Sequence, residues 1–156
     1  MVYVSEVSDT LRGDLLGLRS GKFQELADDA TRFNRDVGVS GFLLFDDIRF
    51  LQYLESPPDG VDVALSRVLG ASSHHHVIEL QRGTVADRRV PYWLMRWLPV
   101  EVKDLTEVAM SAWGGFKVRD DGKALKATAI DRLIFLVSRR ALRGAAQPGL
   151  SRVKDV

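Results

Sequence analysis

The stretch FLQYLESPPDGV at residues 50–61 joins a predicted strand to a predicted helix, and this junction decides the order of the fold. Successive side chains of a strand point to opposite faces, so Phe50, Gln52 and Leu54 share one face. The two prolines that follow cannot donate to a neighbouring strand, which ends the strand. Asp59 then stands where a helix N-cap is expected. Gln52 is therefore a polar residue in the middle of a strand that leads directly into a helix.

The segments before this junction predict a strand, a helix and a hairpin. VYVS near the start is a short run of β-forming residues that ends near Ser5. Apolar residues recur at helical spacing between Lys22 and Asp36, which predicts an amphipathic helix. GVSGFLLF and RFLQYLE are separated by a short polar turn, so we expect two antiparallel strands joined as a hairpin.

The segments after the junction predict a second helix and two more strands. Apolar residues from Val61 to Leu69 form the helix, which GASS ends. HVIELQRGTV at 76–85 and VPYWLMRWL at 90–98 are the strands. The order βαββαββ predicts an α+β, ferredoxin-like domain over residues 1–98, in which two helices cover one face of a five-stranded mixed sheet.

The sequence beyond Pro99 predicts further helices. EVKDLTEVAMSAW and KALKATAIDRLIFLVSRRAL are helical patterns, so we expect residues 99–145 to form a C-terminal cap or output segment. Leu105, Leu133 and Phe135 are among its apolar residues available to cover the sheet or to form a dimer surface. Residues 146–156 are expected to be a flexible tail.

Composition excludes several classes of function. Of the 156 residues, 46% are hydrophobic, which suits one domain with a core. The 22 basic and 21 acidic side chains leave a net charge of +1, so we expect no nucleic-acid partner. The absence of cysteine excludes disulfides and thiol catalysis. Without a secretory signal or about 18 consecutive apolar residues, the chain is expected to be cytoplasmic and to have no membrane partner.

A polar cluster is expected around Gln52 if its face lies under the helices. A buried amide then needs partners for its donors and acceptor, and Tyr3 on a neighbouring strand offers a phenol. Asn34 and Met95 add a second amide and an adaptable apolar wall. Such a cleft suits a flat, hydrogen-bonding heterocycle. The alternative is that Gln52 faces water on an edge strand, Tyr3 packs in the core and Asn34 caps a helix.

Four motifs in collinear order resemble the blue-light-sensing flavin (BLUF) domains. They are YVS at 3–5, FNRDVGVSGFLLF at 33–45, FLQYLES at 50–56 and RRVPYWLMRW at 88–97. The resemblance covers roughly residues 1–98 and implies a five-stranded sheet with flavin held between two helices. It also implies FAD as the cofactor, with FMN as the alternative.

The resemblance implies a role for each matching residue. Tyr3 would donate an electron and a proton to the noncovalently bound flavin, and Gln52 would rearrange its hydrogen bonds. Asn34 would hold the pyrimidine edge of the ring. Phe33 and Phe50 would be packing contacts of the ring. His74 would take the position of the loop histidine near the flavin. Met95 would also contact the flavin, and Trp93 and Met95 would be the last-strand residues that relay the signal.

The sequence also departs from the family pattern. In the loop after the second helix, Ser73 stands where the family has an arginine, which affects the expected contacts to the flavin phosphates. The same loop holds three consecutive histidines, His74 to His76. Adjacent residues of an extended strand alternate faces, so we expect no metal site there.

The function implied by the resemblance is a blue-light photoreceptor that is not an enzyme. It would signal through the last strand and the C-terminal helices to an unidentified downstream protein, and we expect a homo-oligomer. One alternative is a light-insensitive interaction module on the same fold. Another is a small enzyme, such as a monooxygenase or an acylphosphatase-like hydrolase, although the sequence offers no nucleophile with a base and no phosphate-binding loop.

Overall fold

The computed structural model describes residues 1–9, 11–12, 22–113 and 128–145. Its strands are β1 (Val2–Val7), β2 (Ser40–Phe45), β3 (Arg49–Glu55), β4 (His74–Gln81) and β5 (Arg96–Pro99). Its helices are α1 (Lys22–Asp36), α2 (Gly60–Gly70), α3 (Val102–Ala109) and α4 (Ala129–Ala145). The predicted order βαββαββ, followed by C-terminal helices, is confirmed.

The strands form one mixed sheet in the order β4-β1-β3-β2-β5. β2 pairs with β5 in parallel, and the other neighbours are antiparallel. β3 is thus the central strand, and its residues from Phe50 to Glu55 are all buried. The alternative in which Gln52 faces water on an edge strand is therefore wrong, because the strand is covered on both faces.

Helices cover both faces of the sheet. One face packs under α1 and α2, and its buried residues are Met1, Tyr3, Val39, Leu54 and Ala64. The opposite face packs under α3 and α4, and its buried residues include Phe42, Leu44, Leu51, Tyr53, Leu105, Leu133 and Val137. The alternation predicted along β3 is confirmed, since Leu54 and Tyr53 lie in different layers.

The C-terminal helices are held by apolar burial and by a few polar contacts. Leu105 and Leu133 are fully buried, and burying one leucine side chain contributes about 1.5–3 kcal/mol. Arg140 donates to Asp104 at 2.7 Å, which joins α4 to α3. Phe135, expected as an apolar contact, is 64% exposed because it lies on the outer side of α4.

The predicted strand over 90–98 is shorter in the structure. Only β5 pairs as a strand, and the residues before it are held by other bonds. The Val90 N–H donates to the Glu55 side chain at 2.7 Å, and the Trp93 carbonyl accepts from Gly41 N–H at 2.6 Å. Pro91 has no N–H to offer a ladder. A side-chain anchor and a single backbone bond to β2 therefore replace regular strand pairing in this segment.

Other boundaries also differ from the sequence-based expectations. β1 continues to Val7 instead of ending near Ser5, and the β4 strand begins at His74. Asp59 precedes α2 as expected, but its backbone has φ 77° and its side chain makes no cap hydrogen bond. The predicted tail at 146–156 lies outside the described residues. None of the described helices is long and apolar enough to cross a bilayer.

Candidate functional site

A cleft of about 800 Å³, counting the space at its open mouth, lies between the first two helices and the sheet. Small-molecule sites are concave and are lined mainly by apolar groups with a few placed polar ones. The apolar lining includes Leu26, Ala27, Ala30, Phe33, Leu43, Phe50, Leu54, Val68, Met95 and Trp97. The polar lining residues are Asn34, Gln52, Arg67, Ser73 and His74. The cleft is therefore suited to a flat ligand with a polar edge.

Tyr3 and Gln52 meet on the sheet side of the cleft, where Gln52 is a lining residue and the fully buried Tyr3 lies behind it. They are direct partners in the β1–β3 register, and the Tyr3 hydroxyl donates to Gln52 Oε1. At the other end of the amide, Gln52 Nε2 donates to Met95 Sδ at 3.7 Å. Both Tyr3 and Gln52 are buried. The Gln52 amide therefore accepts a hydrogen bond from the phenol through its oxygen. Through its nitrogen it donates to residues 90–95, which are called the segment before β5.

The surroundings of Tyr3 keep its phenol neutral. Burial raises the pKa of Tyr3 well above its ordinary value, because the low-dielectric interior disfavours the phenolate. The described side-chain acceptor of the hydroxyl proton is Gln52 Oε1.

Asn34 joins α1 to the segment before β5. Its side chain is buried, and Nδ2 donates to the Leu94 carbonyl at 2.6 Å. The backbone carbonyl of Asn34 accepts a hydrogen bond from Val39 N–H at 2.8 Å, at the turn where α1 ends. Asn34 lines the cleft as predicted, and it also holds the backbone between Trp93 and Met95 in place.

His74 closes one end of the cleft. Its Nδ1 is 3.0 Å from Ser5 Oγ, and its ring lies edge-on to Phe50 with centroids 5.8 Å apart. The Tyr3 ring is 6.3 Å away. Burial, with a smaller contribution from the neighbouring His75, lowers the pKa of His74. The lowered pKa favours the neutral form of this imidazole, which lies beside the tyrosine.

Arg67 is a lining residue that the sequence analysis missed. It lies on α2 with its guanidinium 4.4 Å from the Phe33 ring centroid, at the same cleft as Ser73. The helical spacing of Ala64, Arg67 and Val68 places them on one side of α2 and was the available signal. A cation is thus present at the cleft even though the loop arginine of the family pattern is absent.

Trp93 lies on the opposite face of the sheet from Met95. It packs edge-on against Phe42, with centroids 6.1 Å apart, and against the core under α4. In a regular strand, residues 93 and 95 would share a face, but this segment is not paired as a strand. The structure therefore brings Met95 to Gln52 and leaves Trp93 outside the cleft, where Trp97 takes a lining position.

Comparison with known proteins identifies the family. The family model described as "BLUF: Sensors of blue-light using FAD" matches residues 1–96. Photoactivated adenylate cyclase subunit beta from Euglena longa and from Euglena gracilis is 32% identical to this chain over 72 residues. The match covers 46% of the chain and only 8% of either cyclase subunit.

Solved structures show the same fold at lower identity. The photo-activated state of BlsA has a TM-score of 0.58 and 21% identity, and the match covers 67% of this chain and 71% of BlsA. Klebsiella pneumoniae BlrP1, solved with FMN and cyclic diGMP, has a TM-score of 0.57 and 24% identity over 92% of this chain and 34% of its own. A bacterial light-regulated adenylyl cyclase has a TM-score of 0.54 and 18% identity over 93% of this chain and 34% of its own. Together with the family model, which covers more than half of the sequence, these findings show that the chain belongs to the BLUF family of blue-light sensors that use FAD.

Proposed function

We propose that the cleft holds the isoalloxazine ring of a flavin, to which Asn34 and Gln52 would supply hydrogen bonds and Phe50 an apolar contact. The apolar lining of the cleft fits such a ring, and the two amides supply both donors and acceptors. Arg67 is the described cation that lines the cleft, and we assign it to the phosphates of FAD, the cofactor of the family description, or of FMN. A bound flavin absorbs blue light and, once excited, accepts an electron.

Tyr3 is the proposed electron and proton donor. Next to an excited flavin, which would supply the electron acceptor, Tyr3 would release one electron, and its proton would move along the existing hydrogen bond to Gln52 Oε1. Return of the same electron and of a proton to Tyr3 would leave no residue oxidised overall. The lasting change is a rotation or tautomerisation of Gln52, which exchanges its donor and acceptor ends without changing its charge.

We propose that the structural change at Gln52 is transmitted out of the cleft by the segment before β5. Exchanging the donor and acceptor ends of Gln52 breaks the hydrogen bond that its N–H donates to Met95 Sδ. Met95 directly follows Leu94, whose carbonyl accepts a hydrogen bond from Asn34. Trp93, on the same segment, contacts the layer under α4. A shift of this segment would therefore change the contacts of the C-terminal helices. We propose that these helices signal to a separate downstream protein. We also propose that the chain acts as a homo-oligomeric sensor rather than as an enzyme.

The single observation that supports this function most is the chain of contacts from Tyr3 through Gln52 to Met95 at the cleft. The test is the absorption spectrum of the flavin-loaded protein in the dark and after blue illumination. We expect a small red shift that decays in the dark. Tyr3→Phe and Gln52→Leu should abolish it.

Tyr53→Phe is the matched control, because Tyr53 is a buried tyrosine on the opposite face of the same sheet. It should retain the light-induced shift. A protein that binds flavin without any shift, or a shift that survives in Tyr3→Phe, contradicts the proposed photochemistry. A protein that cannot be loaded with flavin favours the light-insensitive interaction module instead.

A further inference from the structure

Two adjacent histidines and one glutamate converge at the exposed edge of the sheet. His75 Nδ1 lies 3.7 Å and His76 Nδ1 lies 3.4 Å from the same Glu6 carboxylate oxygen, Oε2. One ligand atom from each of the three residues lies within 4.8 Å of the other two. The side chains are 43%, 73% and 49% exposed for His75, His76 and Glu6, so solvent and ions reach them. This cluster lies outside the lining of the cleft.

An irregularity in the β1–β4 ladder brings the two histidines together. In a regular strand their rings would point to opposite faces, which is why the sequence predicted no metal site. His76 instead has φ 51°, in the left-handed region, and the ladder shifts register between Val4 and Glu6. The His75 and His76 rings consequently lie with centroids 4.6 Å apart. Such bulges commonly redirect a side chain at the edge of a sheet.

We propose that Glu6, His75 and His76 form a binding site for a divalent first-row transition-metal ion of the Zn²⁺ class. Zinc bonds of about 2.0–2.2 Å in a tetrahedral site place neighbouring ligand atoms roughly 3.3–3.5 Å apart. The two Nδ1–Oε2 distances are within a few tenths of an ångström of that spacing. Water completes the coordination on the open side, as in zinc sites with three protein ligands.

The donor set selects the class of ion. Two imidazole nitrogens favour Zn²⁺, Cu²⁺ or Ni²⁺, whereas Mg²⁺ and Ca²⁺ require mainly oxygen ligands. The site therefore binds Zn²⁺ and Ni²⁺ and discriminates against Mg²⁺. No flavin is needed for this binding, so the inference stands independently of the proposed photochemistry.

Metal binding here has a structural consequence near the cleft. Glu6 follows Ser5, and His75 follows His74, so an ion joins β1 to β4 beside the Ser5–His74 contact. An ion that binds only the folded state stabilises it by mass action. We therefore expect saturating Zn²⁺ to raise the melting temperature of the protein.

The test is isothermal titration calorimetry with ZnCl2 on protein that carries no polyhistidine tag. We expect one ion per chain with micromolar affinity, and no heat from MgCl2. Glu6→Gln, His75→Ala and His76→Ala should each weaken binding by at least about tenfold, since even outer-shell changes cost 10–100-fold. Glu107→Gln is the charge-matched control, because Glu107 is exposed on α3 away from the cluster.

Circular dichroism melts of the metal-free variants check that each is folded, which we expect because all three side chains are at the surface. Unchanged Zn²⁺ affinity in folded His75→Ala and His76→Ala would overturn the proposal. An equal loss in Glu107→Gln and Glu6→Gln would also overturn it, since nonspecific charge rather than coordination would then explain the binding.

Discussion

Tyr3 and Gln52 are cross-strand partners in the centre of the sheet, and the phenol hydroxyl of one donates to the amide oxygen of the other. A buried polar group without a partner costs about 1–3 kcal/mol, whereas removing both members of a pair costs less than the two single losses. This relationship makes the pair a suitable target for a double-mutant cycle.

We predict that Tyr3→Phe and Gln52→Leu each lower the free energy of unfolding by about 1–3 kcal/mol. The double variant should be more stable than the sum of the two losses predicts, with a coupling of about 1–2 kcal/mol. Urea denaturation of the four proteins, all free of flavin, measures this coupling. Additivity within roughly 0.5 kcal/mol would show that the hydrogen bond contributes nothing to stability.

Glu55 is predicted to be the anchor of the segment before β5. Its buried carboxylate accepts from Tyr53 Oη at 2.8 Å, from Arg89 N–H at 2.8 Å and from Val90 N–H at 2.7 Å. In Glu55→Gln an NH₂ group replaces one of the two carboxylate oxygens, so this NH₂ group faces a hydrogen-bond donor instead of accepting from it. We expect the free energy of unfolding to fall by about 2–4 kcal/mol.

Hydrogen exchange provides the local measurement for Glu55→Gln. The Arg89 and Val90 amides should exchange faster than in the parent, because each loses or weakens its bond to the side chain at position 55. Glu107→Gln, at an exposed position, should leave these amides and the stability unchanged. Unaltered protection of both amides in Glu55→Gln would contradict the anchoring role.

The packing of α4 on the sheet can be tested with two neighbouring residues. Leu133 is fully buried against the layer under α3 and α4, whereas Phe135 is 64% exposed. Leu133→Ala should lower the free energy of unfolding by about 2–5 kcal/mol through lost burial and a cavity. Phe135→Ala should lower the free energy of unfolding by less than about 1 kcal/mol, and this figure includes the lost contact between the Phe135 ring and Arg139.

Urea denaturation of these two variants at low protein concentration gives the comparison. Equal effects of the two substitutions would mean that α4 does not pack on the sheet through Leu133. A larger effect of Phe135→Ala that grows with protein concentration would indicate instead that Phe135 is buried between copies of the chain.

The stability of the protein is predicted to fall above about pH 10, the ordinary tyrosine pKa. Burial raises the pKa of Tyr3, and burial together with the hydrogen bond to Glu55 raises the pKa of Tyr53. Above pH 10 the unfolded chain releases both phenolic protons and the folded chain keeps them. The stability is therefore complete below pH 10 and decreases by about 1.4 kcal/mol per pH unit for each tyrosine as the pH rises toward the folded-state values.

Chemical denaturation between pH 8 and pH 11 measures this dependence. Tyr3→Phe should remove about half of the slope, since one of the two buried phenols is gone. Tyr92→Phe is the matched control, because Tyr92 is 93% exposed and should leave the slope unchanged. A parent protein with flat stability over this range would contradict the buried, neutral state of both tyrosines.

Much of the site was predictable because strand periodicity and collinear motifs are local properties. The alternation around Gln52 placed Phe50 and Leu54 on the cleft face, as the structure confirms. Arg67 was missed because a charged residue on a helix is usually solvated, although its spacing from Ala64 and Val68 places it on the same side of the helix. The position of Trp93 could not be predicted either, since a regular strand was assumed where Glu55 and Asn34 hold an irregular segment.

The order βαββαββ, the two faces of β3 and the family resemblance could be inferred from the amino-acid sequence, because hydrophobic periodicity, turn residues and motif spacing are local properties of the chain. The contacts between side chains became known only from the folded arrangement. The Tyr3–Gln52 hydrogen bond depends on the register of two strands far apart in sequence, and the approach of His75 to His76 depends on one positive φ angle. Register and backbone irregularities result from long-range packing, which side-chain periodicity does not encode.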